Sequence, residues 1–285
     1  MTRQNIFEIL DSAYDITREF GKIQDLYSNV VINCTNPLNY RQSSYSIENY
    51  VDTFLLHIWK QRKSFLSVEE MKNCIFATIT FEDIDKIETK LKILEYFINI
   101  IYLIESKGCT NDPINQFGKN FLFLKENINI LLENLNYEQL VIKDEERVLL
   151  VLKDPAATAV AEISSEDTAL AILKYNHASM KGDLEGKRNL LFSIYREYEP
   201  LLKQPIEGYA DFYNKVRGLY NTLDIRHNNK TKEGNKNNVI DISDEELEKW
   251  YDELYQLLLF CVLIKDNLER KKEVDEFLKE IKKVD

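Results

Sequence analysis

The chain has 285 residues, 44% of them hydrophobic and 30% charged, a length for one large domain or two smaller ones and a composition that excludes intrinsic disorder. Its 8 Gly and 5 Pro are too few for the turns of an all-β protein. A formal net charge of -11 excludes a surface that binds nucleic acid over its whole extent, though not a local basic site.

Apolar residues at three- and four-residue steps predict a first helix up to about residue 30, with Ile6, Ile9, Ile16, Phe20 and Ile23 on one face. Cys34 to Ser46, polar and holding Pro37, reads as a loop. A helix is expected from Ile47 to Lys63, and Ser67-Val68-Glu69-Glu70 fits a capping box opening a short helix to Ile79. A long helix follows from Phe81 to Ser106, where Gly108 is expected to supply a positive φ, and another spans Phe117 to Leu135.

Two β-rich runs, Leu140-Val141-Ile142 and Val148 to Leu152, flank a charged turn and suggest a hairpin, although Glu145 to Leu152 also fits a helix. Helices resume after Asp154-Pro155, over Ala156–Glu162 and Ser165–Tyr175. Asp183 caps the next, which stops near Pro200, and another spans Glu207 to Ile225. Ser243-Asp244-Glu245-Glu246 is a second capping box, opening a helix to about Lys272. The expected fold is mainly α: two helical bundles, residues 1–137 and 154–285, with a short β-hairpin over 138–153 between them.

Cys34, Cys74, Cys109 and Cys261 show neither CxxC nor zinc-ligand spacing, and Cys74 and Cys261 read as small core residues. No apolar run reaches the about 18–20 residues that span a bilayer. The richest, Ile93 to Ile104, is broken by Glu95 and Asn99. The amphipathic N-terminus is not a signal peptide. These features predict a cytoplasmic protein with no membrane partner, no cofactor and no metal site.

No GxGxxG, Walker, GxSxG, HExxH or EF-hand sequence is present. Of three histidines, His57 fits packing or surface, and His177, at a helix end, fits capping. His227 differs. It follows Arg226 at the end of an amphipathic helix and precedes Asn228, Asn229 and a polar loop. Arg226, Lys230, Lys232 and Lys236 against Glu233 give residues 226–239 a net charge of +3, opposite in sign to the chain. On the same helix Asn214, Arg217, Asn221 and Asp224 form a polar ridge leading to His227. A guanidinium and an imidazole beside a basic loop suit a phosphodiester: Arg holds its oxygens in bidentate fashion and His moves a proton near neutral pH. The same residues also fit a helix end, where Asn accepts the left-handed conformation and His caps carbonyls.

The ridge and Tyr220-Asn221-Thr222-Leu223-Asp224-Ile225-Arg226-His227-Asn228-Asn229 make this half, residues 140 to 275, resemble HEPN domains. These are helical modules of many bacterial toxin–antitoxin and abortive-infection proteins. Asp154-Pro155-Ala156-Ala157, Tyr175-Asn176-His177 and Lys181-Gly182-Asp183-Leu184-Glu185-Gly186-Lys187-Arg188 resemble segments that accompany such C-termini. The resemblance implies a metal-independent ribonuclease of a phage-defence or toxin system, acting on RNA as a homodimer through the C-terminal domain. It implies His227 as general acid or base, Arg226 as the stabiliser of the charged phosphorane and Asn228 as polar helper. Arg217, Asn221, Asn229, Lys230 and Lys232 would then contact substrate. Active members set the His four to six positions beyond the Arg, whereas Arg226 and His227 are adjacent. That departure keeps a second expectation open, a non-catalytic helical module that binds or regulates another protein.

Overall fold

The computed structural model describes residues 14–35, 42–80, 83, 85–108, 113–204, 206–223, 225 and 242–281. It is mainly α with two small antiparallel two-stranded sheets, and it divides into two compact units, Met1–Leu150 and Val151–Asp285. Among the described residues no helix is long and apolar enough to cross a membrane.

In the first unit, α1 (Ile16–Asn29) starts at Asp15, whose carboxylate accepts the Arg18 N–H at 2.7 Å. It buries Phe20, Ile23 and Tyr27, while the expected turns from Ile6 to Ala13 lie outside the described residues. The stretch expected as a loop from Cys34 contains an antiparallel hairpin, β1 (Val31–Thr35) with β2 (Gln42–Ser46), in the register Val31↔Ser46 and Cys34↔Ser43. Its second strand, Gln-Ser-Ser-Tyr-Ser, has no apolar alternation to betray it. Backbone pairing and a Ser44–Asn33 side-chain bond of 2.7 Å hold it instead.

The helix expected from Ile47 to Lys63 is regular only as α2 (Ile47–Tyr50). It widens to a π turn over Val51–Leu55, tightens to 3-10 turns and ends at Lys63 with φ 54°. α3 (Val68–Phe76) keeps its capping box: Ser67 Oγ accepts the Glu70 N–H at 3.0 Å, and the Glu70 carboxylate accepts that of Leu66 at 2.8 Å. Cys74, expected in the core, is exposed on α3 because Val68 and Met71 make its inner face.

Helix α4 (Ile87–Lys107) is the unit's central element, buried from Leu91 to Ile104 on most sides. Gly108 ends it at φ -68°, not the positive φ expected. Glycine is needed there for room, since a Cβ would collide with the Ile104 carbonyl. α5 (Pro113–Asn134) is interrupted at Gly118, φ 67°. β3 (Tyr137–Ile142) and β4 (Arg147–Leu152) form the expected hairpin around a turn with Glu146 at φ 51°.

The two polar residues that break α4's apolar run serve this hairpin. Asn99 donates to the Val148 carbonyl at 2.8 Å and accepts its N–H at 2.9 Å, and Glu95 accepts the Leu150 N–H at 2.8 Å. They thus satisfy strand groups that the two-stranded sheet leaves unpaired.

The second unit stacks α6 (Pro155–Glu162), α7 (Glu166–Tyr175), α8 (Leu184–Lys203), α9 (Ala210–Thr222) and α10 (Asp244–Ile281) around one core. Asp154 caps α6 with two N–H bonds, of 2.9 and 3.1 Å, and Pro155 fills the first position where no N–H is needed. α8 continues through Pro200 to Lys203, and α10 runs to Ile281, past the expected Lys272. Buried tyrosines tie helices by backbone acceptors: Tyr213 donates to the Cys261 carbonyl and Tyr255 to that of Ile172, both at 2.9 Å.

Replacing Asn99 by Ala leaves the Val148 N–H and C=O without their partner. Urea unfolding of the full chain is expected to show a loss of about 1–3 kcal/mol, and an unchanged midpoint would mean that water replaces the amide at no cost.

Candidate functional site

The glycine-rich motif Lys181 to Arg188 sets where α8 begins, and each residue it needs has a visible reason. Gly182 adopts φ 78° and donates its N–H to Glu248 at 2.7 Å. Asp183 caps α8 by accepting the Gly186 N–H at 2.8 Å. A side chain at Gly186 would collide with that same carboxylate. Lys187 is buried, with its ammonium 2.6 Å from Asp252 and 2.8 Å from Glu248 of α10, above the Tyr175 ring. Tyr175 completes the set by donating to Asp252 at 2.9 Å.

Burial beside Asp252 pushes the Tyr175 hydroxyl far above its usual range, so it stays a donor. Burial also pushes the Glu248 carboxyl up. The Lys187 ammonium and the Gly182 N–H outweigh that effect and hold it below the ordinary carboxylate range. Arg188 then reaches across to α9's end and donates to the Ile225 carbonyl at 3.3 Å.

Pinned this way, α8 and α9 enclose a cleft of about 420 Å³. From α8 it takes Phe192, Tyr195, Arg196, Glu199 and Lys203, at steps of three and four that put them on one face. From α9 it takes Arg217, Tyr220 and Asn221. The floor is a stacked ring pair, Tyr195 on Tyr220, with centroids 3.4 Å apart and planes within 6°. Lys203 is paired with Glu199 at 2.9 Å. Arg196 and Arg217 have no ion-pair or hydrogen-bond partner among the described residues. Among the described residues, three cations and one carboxylate thus line a cleft in a chain of net charge -11.

Two guanidiniums with no partner among the described residues, beside an amide, suit an oxyanion such as a phosphate. The half-exposed Phe192 adds an aromatic surface at the same place.

Of the residues expected to bind substrate, the structure brings Arg217 and Asn221 together in this cleft. Arg226, His227, Asn228, Asn229, Lys230 and Lys232 lie outside the described residues, as does Asp224 of the ridge. Ile225, the last described residue before them, is fully buried and held by Arg188.

Phe192, Arg196 and Lys203 were not among the site residues expected from the sequence. Their steps of four and seven along the polar side of Leu191, Ile194 and Tyr198 were the available signal. His177 accepts the Ser179 N–H at 3.1 Å and caps a 3-10 turn, and His57 is exposed in the first unit. Among the described residues no group of three or more His, Cys, Asp or Glu side chains is placed to hold a metal ion. Comparison with protein-family models, curated proteins and solved structures finds no match for this chain.

The lowered Glu248 carboxyl fixes the sign of an acid effect. Its contribution to stability is complete above the unfolded carboxylate value of about 4.3 and is lost as pH falls through the lower folded value. Lys187→Met should cost about 2 kcal/mol at neutral pH and move acid unfolding, followed by circular dichroism, to higher pH. An acid midpoint that stays in place would separate the network from that transition.

Proposed function

We propose that the second unit binds single-stranded RNA in the α8–α9 cleft and, in the HEPN manner, cleaves it without a metal as part of a phage-defence or toxin system. The observation that carries the binding half is the pair of guanidiniums, Arg196 and Arg217, without partners among the described residues and facing one aromatic-floored cleft with Asn221. Such a groove offers charge for the backbone and a ring surface for bases. The defence setting and the cleavage rest on the resemblance carried by Tyr220 to Asn229.

Arg226, His227 and Asn228 follow α9 directly in the chain, after Ile225. In the cleavage step His227 takes the proton of a ribose 2′-hydroxyl, whose oxygen attacks the adjacent phosphorus. Arg226 balances the added negative charge, and Asn228 orients a phosphate oxygen. The bond to the 5′-oxygen breaks, leaving a 2′,3′-cyclic phosphate and a free 5′-hydroxyl that accepts a proton.

The adjacency of Arg226 and His227 favours a second reading, in which the scaffold binds without cutting. One experiment divides the two. The purified chain is mixed with a labelled single-stranded RNA in EDTA, with anisotropy reporting binding and gel analysis reporting cleavage. Arg196→Ala and Arg217→Ala should each weaken binding roughly tenfold, about 1.4 kcal/mol, and lower its salt dependence. His227→Ala should abolish cleavage and leave binding intact. Absence of binding by the unaltered chain sinks the proposal, and binding without cleavage selects the second reading.

A further inference from the structure

The last helix carries an apolar pattern that its core does not use. The fully buried residues of α10 end at Ile264, and Leu268 is partly covered. From Glu269 to Ile281 every side chain is exposed. Charged residues dominate there, yet Val274, Phe277, Leu278 and Ile281 remain large, apolar and 47–60% exposed. Counting back from them, Phe260, Leu263, Asn267, Arg270, Val274, Phe277 and Ile281 follow one another in alternating steps of three and four. That is the a and d spacing of a heptad seam held over three repeats.

At about 100° per residue, Val274 and Ile281 lie far round the helix from Leu247, Leu254, Leu258 and Cys261, whereas Leu263, at the near end of the seam, still packs against the core. From Glu269 onward the seam is uncovered among the described residues. Phe260, at its near end, is 52% exposed and braced edge-on by Phe212 of α9.

We infer that the seam is a dimerisation surface, and that its occupant is the same seam of a second copy, aligned in parallel as a short two-stranded coil. Charge decides both the occupant and the direction. In the heptad frame the g positions are Asp266, Glu273 and Glu280, and the e positions are Ile264, Lys271 and Leu278.

A parallel pair sets each g beside the e five residues further along the other helix. Asp266 then faces Lys271 of the second copy, twice by symmetry. An antiparallel pair sets the g rows against each other, and all three g residues are acidic. Asn267 occupies an a position, where two copies of one amide meet only across a parallel two-fold, and a single such Asn specifies register and two-strandedness at some cost in affinity. Arg270, at d, already gives its Nε–H to Asp266 of its own helix at 2.7 Å, which draws its charge out of the seam. The polar middle makes a dimer that dissociates on dilution, and its formation does not depend on whether the cleft binds RNA.

The test uses the full chain in sedimentation velocity over a dilution series. The unaltered protein should pass from monomer to dimer, and Val274→Glu with Phe277→Glu should stay monomeric while keeping its helical circular dichroism. Asn267→Ile should dimerise roughly tenfold more tightly, a gain that damaged folding cannot produce. Val274→Cys should give a disulfide-linked dimer on oxidation, above the background of the unaltered chain, because position 274 meets itself across the parallel axis. A monomer at all concentrations in both the unaltered chain and Asn267→Ile overturns the proposal. So does a dimer that survives the double glutamate variant, or a failure of Val274→Cys to cross-link.

Discussion

A single ammonium group sets the geometry of the second unit. Lys187 is buried, and a buried charge is tolerated only when it is paired and hydrogen-bonded. Asp252 and Glu248 supply the pairing from α10, and Tyr175 and Gly182 supply the remaining bonds that keep those carboxylates in place. Four segments must converge for this to happen: the end of α7, the turn at Gly182, the first turn of α8 and the second and third turns of α10. A slip of one residue in any of them would leave a charge unmatched in the core, so the network selects one arrangement of these helices over near alternatives. Apolar packing around Leu191, Ile194, Leu254 and Leu258 supplies the bulk of the driving force, and it tolerates such slips far better.

The same constraint separates two kinds of cation on α8. Lys187, inward and near the start, is fully paired, whereas Arg196, two and a half turns on and outward, has no partner among the described residues. The glycines and the Asp183 cap fix the rotational phase of the helix, and that phase delivers Arg196 and Phe192 to the side facing Arg217 and Asn221. Pro200 has no N–H to give to the carbonyl four residues back, which belongs to Arg196. The carboxylates of α10 neutralise the buried cation, whereas two guanidiniums of the cleft have no partner among the described residues.

How much of this the sequence disclosed follows from which forces leave a periodic trace. Helices that bury one apolar face were legible, as were the caps at Ser67, Asp183 and Ser243, because each needs a particular side chain at a particular place. The β1–β2 hairpin was not, since backbone pairing and serine bonds hold its second strand and leave no apolar alternation. The loss of α geometry after Tyr50 was hidden for the opposite reason: Val51, Phe54 and Leu55 keep a helical spacing through a π turn. In the site, Arg217 and Asn221 were found from the ridge on their own helix. Arg196 was missed because its significance depends on which face of α8 meets α9, a tertiary fact set by Lys187 far down the helix.

α10 shows the limit of reading a helix by one stripe. Its first half turns Leu247, Leu254 and Leu258 inward and offers Glu248 and Asp252 to Lys187. Past Leu268 its second half meets no core among the described residues, yet it keeps Val274, Phe277, Leu278 and Ile281 exposed. Averaged over its 38 residues, the helix is barely amphipathic. The inward stripe fades by Leu268, which is why the sequence suggests an end near Lys272. The outward stripe extends to Ile281, and its residues would cost nothing to replace by polar ones if water were their only neighbour. Large apolar side chains in heptad register, with an Asp266–Lys271 charge match that only a parallel pair makes, account for a helix that extends past its own core.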